Sequence, residues 1–138
     1  MSGCLLDTNV LSELRKGRRC DPGVNQWFVS VDDTELFTSV LVLGEIRKGI
    51  ERIRPTDPSQ ARVLEKWLKE TSEDYVDRIL TVDERVADQW GRLGLNQPLP
   101  VLDALLAATA LCHDLTLVSR DTRGFQAAGI QVLNPFSQ

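Results

Sequence analysis
The sequence predicts an α/β fold: a parallel sheet of about five strands with helices on both faces, in three layers. Two observations carry this. Short apolar runs such as Cys4-Leu5-Leu6 and Leu115 to Ser119 alternate along the chain with segments whose apolar residues recur at i, i+3 and i+4. Parallel neighbours need long crossovers, and the helical segments supply them. At 138 residues, with neither an internal repeat nor a linker, the chain is expected to form one domain over residues 1–138.

The elements follow in order. The run Cys4 to Leu6 is a strand ending in Asp7, and Thr8 opens a helix over Asn9 to Lys16, with Val10, Leu11 and Leu14 on one face and Gly17 after it. Val24 to Val31 is a short helix, and Glu35 to Thr38 a second strand. Ser39 caps a longer helix reaching about Arg54, its apolar line formed by Val42, Ile46, Ile50 and Ile53. Asp57, Pro58 and Gln60 form a helix start, and Ala61, Leu64, Trp67 and Leu68 give that helix its apolar face. Ile79 to Val82 is strand-like, Asp83 caps a helix through Leu93, and Asn96 to Pro100 is a loop. A helix over Val101 to His113, a strand over Leu115 to Ser119, a turn of helix over Thr122 to Ala127 and a last strand over Ile130 to Leu133 complete the order.

Composition narrows the chemistry. Asp103 and Glu45 interrupt apolar runs that fall far short of the roughly 20 residues a membrane span needs, so no membrane segment is expected. The N-terminus lacks the basic start and long apolar stretch of a signal peptide, which points to the cytoplasm. Three widely spaced cysteines make neither a zinc site nor a disulfide framework, and Cys4 and Cys112 are expected as small core residues. His113 is the only histidine, so carboxylates must carry any catalysis. The net charge of −4 argues against a generally basic nucleic-acid coat. Local basic clusters remain at Arg15, Lys16, Arg18 and Arg19, and at Arg47, Lys48, Arg52 and Arg54, and solvated helix ends are the commoner fate of such runs.

Four acids stand out by position. In open α/β sheets, ligands bind beyond the carboxyl ends of the strands. Asp7 follows the first strand, and Asp121 follows the strand Leu115 to Ser119 with only Arg120 between. Asp103 falls in the first turn of its helix, where the dipole favours an anion. Glu45 flanks an otherwise apolar helix, with Gly49 one turn on, where a neighbour can approach closely. Carboxylates gathered in one pocket raise one another's pKa unless a cation neutralises them, and hard ions such as Mg²⁺ or Mn²⁺ prefer oxygen ligands. Each acid also has an ordinary structural use: helix cap for Asp7 and Asp121, dipole partner for Asp103, ion-pair partner of Lys48 or Arg52 for Glu45. Residue pattern alone leaves both readings open.

The string Leu5-Leu6-Asp7-Thr8-Asn9-Val10 resembles the opening of PIN-domain toxins of the VapC and FitB kind. Gly44 to Ile50 resembles their second acidic motif, Leu102 to Ala110 the third, and Thr116 to Asp121 with Phe125 and Asn134-Pro135-Phe136 the end of the domain. The resemblance runs in order over essentially the whole chain. It implies a PIN-like fold and a metal-dependent ribonuclease, the toxin of a bacterial toxin–antitoxin pair. Asp7, Glu45, Asp103 and Asp121 become the catalytic acids, holding Mg²⁺ or Mn²⁺, with Thr8, Asn9 and Ser119 as supporting polar groups. Arg15, Arg47, Lys48 and Arg120 become RNA contacts. The implied partners are a VapB-like antitoxin, a second copy of the chain in a homodimer, and operator DNA reached only through the antitoxin. For the dimer, Leu64, Trp67 and Leu68 offer an apolar helix face, which has the alternative use of packing on the chain's own core. One departure is visible: the family often carries an acid where this chain has Gly124, so Asp121 is expected to serve as the fourth carboxylate.

Other readings fit less well. A haloacid-dehalogenase-type phosphatase needs a second aspartate two residues after the first, where Asn9 stands. A response-regulator receiver needs an acidic pair near its first strand. A non-catalytic module acting through an antitoxin–DNA complex would share the fold.

Overall fold
A computed structural model of the chain describes residues 3–93 and 99–137. Five short strands, β1 (Cys4–Leu6), β2 (Leu36–Ser39), β3 (Ile79–Leu80), β4 (Thr116–Val118) and β5 (Val132–Leu133), form one sheet in the order β3-β2-β1-β4-β5, and every pairing is parallel. Cys4 pairs with Leu36 on one side and with Thr116 on the other, so β1 is central. The helices are α1 (Thr8–Leu14), α2 (Pro22–Ser30), α3 (Val40–Ile53), α4 (Pro58–Asp74), α5 (Glu84–Arg92), α6 (Val101–Cys112) and α7 (Arg123–Ala127).

The topology sets the place of the site. From β1 the chain steps outward to β2 and β3, then returns across the sheet and steps the other way through β4 and β5. The direction therefore reverses between β1 and β4, and the crevice beyond their carboxyl ends is where such sheets bind ligands. Right-handed crossovers send the helices of the two halves to opposite faces. In agreement, α1 packs on α2 and α3, and α3 on α4, while α5 packs on α6. Between these layers Leu5, Leu6 and Leu117 are fully buried, which explains why the central strands are apolar on both faces. Each such side chain stabilises the fold by about 1.5–3 kcal/mol through removal from water.

Helix starts follow local chemistry. Ser39 accepts from the Leu41 N–H, Asp57 from Gln60 and Asp83 from Val86, as the sequence predicts. Asp21 caps α2 by accepting from Gly23 and Val24, so that helix opens at Pro22, two residues before the expected Val24. Glu35, expected in β2, lies instead in a 3₁₀ turn that Asp32 nucleates by accepting from the Thr34 N–H. The edge strands β3 and β5 keep two residues each of the four expected. Of the expected loop from Asn96 to Pro100, residues 96–98 lie outside the described residues. Cys20 is the buried cysteine, whereas Cys4 and Cys112, expected in the core, are half-buried. No helix among the described residues is long and apolar enough to cross a membrane.

The apolar face of α4 turns inward. Leu68 is buried, and Leu64 and Trp67 pack against the core, so the alternative of self-packing is the one observed. A second correction concerns Gly49: a Cβ there would meet nothing within 4 Å, so no neighbour approaches. It lines an open cleft instead, together with Thr8, Glu45 and Trp67.

Candidate active site
The site begins with Asp7, whose backbone N–H donates to Val118 O at 3.0 Å and so ties the end of β1 to β4. The residue is 7% exposed, and its carboxylate is hydrogen-bonded at both oxygens. Oδ1 accepts from the Thr8 N–H at 2.7 Å as the cap of α1, and Oδ2 accepts from the Ser119 hydroxyl at 2.8 Å. Ser119 is fully buried at the end of β4 and accepts in turn from the Asp121 N–H at 3.1 Å and from Asn9 Nδ2 at 3.3 Å. One hydroxyl, with one proton to donate and two lone pairs, thus spends its whole capacity on the site. Asn9 closes the ring, its Oδ1 accepting from the Arg120 N–H at 3.1 Å.

On the other flank the Thr8 hydroxyl donates to Glu45 Oε1 at 2.6 Å. That contact joins the first turn of α1 to α3 and replaces the ion pair with Lys48 or Arg52 that the sequence allowed. Asp103 sits in the first turn of α6, which runs from the carboxyl edge of the sheet toward β4. Its pKa is raised, first by burial and then by repulsion from Asp7, Glu45 and Asp121. The pKa of Asp7 is raised as well, chiefly by burial and against the lowering effect of its bonds to Ser119 and Thr8, with Asp121 adding repulsion. The four acids singled out in the sequence therefore feel one another, as groups sharing one crevice must.

The donor set is all oxygen, which suits a hard divalent cation. The carboxylates are not drawn into a finished cage: among the described residues no three acidic, histidine or cysteine side chains are gathered tightly enough to hold an ion as they stand. Mg²⁺ typically keeps several waters and takes only one or two carboxylates, so a loose group of acids is compatible with it.

The family model of the PIN domain matches residues 4–130. The chain belongs to the PIN-domain family. Within that family, it is 28% identical over 137 residues to the VapC ribonuclease Y4jK of Sinorhizobium fredii, covering 96% of each chain. The crystal structure of FitAcB from Neisseria gonorrhoeae superposes with a TM-score of 0.85 at 30% identity, over 96% of this chain and 97% of that one. A toxin–antitoxin complex from Klebsiella pneumoniae gives a TM-score of 0.73 at 25% identity, over 99% and 100%. The five-stranded PIN-like sheet expected from the sequence is thus the observed fold. Family membership also disposes of the phosphatase and receiver readings.

The basic residues divide. Arg47 is committed to Glu51 and Glu65, which lowers its value for a substrate. Lys48 is exposed on α3. Arg15 lies over the Trp67 ring, 5.9 Å from its centroid, and Arg120 over the Phe136 ring at 4.1 Å. Sequence reasoning missed both aromatic partners, because nothing in the spacing of 15 and 67, or of 120 and 136, signals contact. Gly124 does not adopt a positive φ, yet a Cβ there would meet Leu99 Cδ2 at 2.7 Å. An acid at 124 needs that leucine to move.

Proposed function
We propose that residues 1–138 form one PIN domain acting as a metal-dependent endoribonuclease, the toxin of a toxin–antitoxin pair, with Asp7, Glu45, Asp103 and Asp121 holding Mg²⁺ or Mn²⁺. The observation that carries this reading is the Ser119–Asp7–Thr8–Glu45 chain of hydrogen bonds at the reversal point of the sheet, where two further acids raise the electrostatic cost of leaving the site without a cation. When bound, such an ion supplies a nucleophilic water near neutral pH and stabilises charge on the phosphodiester oxygens. The chain's own part is positional. Ser119 and the α1 N-terminus fix both oxygens of Asp7, leaving each with a free lone pair that points away from the protein bonds. Thr8 holds Glu45 in the same way from the opposite flank. Asn9 and Ser119 pin the backbone at Arg120 and Asp121, which keeps the fourth acid beside the others despite its exposure.

RNA is supported as substrate by the ribonuclease relative, and an antitoxin partner by the solved toxin–antitoxin complex. A cytoplasmic location belongs to the same proposal. A homodimer, and operator DNA reached through the antitoxin, complete the proposed assembly. The test is cleavage by purified, antitoxin-free protein, with new RNA ends mapped after brief expression. Wild type cuts with Mn²⁺ and not with chelator, and Asp7→Asn loses more than about 100-fold, beyond what removal of a supporting hydrogen bond costs. Equal cleavage by the variant would mean that the site around Asp7 does not carry the activity, and no cleavage by wild type with Mn²⁺ would leave only a non-catalytic module.

A further inference from the structure
The site raises an electrostatic question that its carboxylates do not answer. An arginine next to four acids is expected to fall onto them, and a guanidinium there would compete with any cation. Arg15 and Arg120 both border the acids. Arg15 lines the cleft that contains Thr8 and Glu45, and Arg120 stands in sequence between Ser119 and Asp121. Yet among the described residues neither forms an ion pair. Each rests on an aromatic ring instead.

Both rests are built into the fold. Thr8 and Ser12 on α1 and Arg15 just past its end line one cleft, and Trp67 comes to that cleft from α4. Phe136 is 5% exposed, and the tail that carries it is fastened on either side. The Ser119 N–H donates to Leu133 O at 3.0 Å before it, and the Ser137 N–H donates to Asp21 Oδ1 at 2.9 Å after it. The tail lies so close to the start of α2 that a Cβ on Gly23 would meet Pro135 O at 2.6 Å. Exposed cation–π contacts are weak, sufficient to bias a side chain and easily exchanged for a charged partner.

The hydrogen-bonded network also gives the two arginines an order: bonds link Glu45 to Thr8, Thr8 to Asp7 and Asp7 to Ser119, Arg15 shares the cleft of Thr8 and Glu45, and Arg120 follows Ser119, so the two arginines attach to opposite ends of that connected chain. Resting on the nuclease reading above, we propose that Arg15 and Arg120, parked on Trp67 and Phe136, grip the RNA backbone at phosphates on the two sides of the bond that is cut. The rings keep the guanidinium groups off the carboxylates and aimed outward, so that a phosphate meets preformed donors. Trp67 and Phe136 are positioning residues in this scheme. The net charge of −4 gives RNA little general attraction, which leaves two local contacts with a large share of the binding.

The experiment follows a fluorescein-labelled RNA hairpin by anisotropy as salt is raised, with the Asp7→Asn protein as an uncut binding background. Arg15→Gln and Arg120→Gln each reduce the slope of log Kd against log salt by about 0.7, the value of one phosphate contact on single-stranded nucleic acid. Each weakens binding roughly tenfold at moderate salt, as loss of a charge-assisted bond should. In the active chain the same changes raise KM and leave kcat within about twofold, since the contact serves ground and transition states alike. Phe136→Leu reproduces part of the Arg120→Gln rise in KM, and Phe136→Tyr restores it. Arg92→Gln, an α5 residue paired with Asp88, changes neither slope nor KM. Unchanged slopes and KM in both arginine variants, with cleavage intact, overturn the grip and spare the nuclease. An effect at one arginine alone overturns the two-sided arrangement, and absence of any RNA binding or cleavage overturns the nuclease reading itself.

Discussion

Asp7 and Glu45 are each held by a hydroxyl, Ser119 on one and Thr8 on the other, whereas Asp103 and Asp121 have no side-chain hydrogen bond among the described residues. Asp7 follows the central strand as the cap of α1 and Glu45 stands on α3; the second pair stands at a helix start and on the loop after β4. One half of the site is held by hydrogen bonds before anything binds. The other half is held near it by backbone alone, with its charge uncompensated. The difference teaches where the stability cost of function is stored: in the half where repulsion is left for a ligand to relieve, as expected when folding and binding are linked.

The comparison is broken most directly at Ser119. Ser119→Ala removes the proton that holds Asp7 Oδ2 and the acceptor used by Asn9 and Asp121, while the buried methyl still fits the space. Cleavage falls by about 10–100-fold, the usual effect of losing a group that orients a metal ligand. Activity within twofold of wild type, measured at saturating Mn²⁺, would mean that the prebuilt half needs no building.

Asp103 sharpens it from the other side. Its native pKa is raised by burial and by the three neighbouring acids, so between the ordinary carboxylate value and the raised native value the folded state binds more protons than the unfolded. The contribution of Asp103 to metal-free stability therefore declines as pH climbs through that window and is level above it. Asp103→Asn removes the repulsion: it raises the metal-free Tm by a few degrees at neutral pH, flattens the pH dependence, and abolishes cleavage. Calorimetry across that pH range checks the sign, and a lower neutral Tm in the variant would show that Asp103 is paired rather than repelled.

Much of this was legible in the sequence where the cause is local. The acid ending an apolar run and the helix opening after it place Asp7 at the carboxyl edge, and Ser119, Arg120 and Asp121 follow by the same logic. The order of strands and helices is likewise written in apolar periodicity, so an α/β fold with a parallel sheet could be expected before any coordinates, and its PIN-like character followed from the motif resemblance. What failed was what depends on distant partners. The Thr8–Glu45 bond spans 37 positions, and the commitment of Arg47 to Glu65 comes from the packing of α4 on α3. Gly49 was misread for a related reason: a small residue permits close approach without requiring it, and only tertiary structure shows the open cleft. The same holds for Leu64 and Trp67, whose apolar face fits either a partner or the chain's own core.

The claim that the four acids await a divalent cation is tested most directly by thermal unfolding with and without Mn²⁺. At about 100 times Kd, a ligand that binds only the folded state adds about 2.7 kcal/mol, which for a chain of this size is a Tm increase of roughly 10 °C. Wild type shows that increase at neutral pH and a smaller one as falling pH protonates Asp7 and Asp103, whose raised pKa values bring that loss to a higher pH than usual for carboxylates. Asp7→Asn shows little or none. A Tm in wild type that does not respond to Mn²⁺ at neutral pH, or an equal response in Asp7→Asn, would contradict the account.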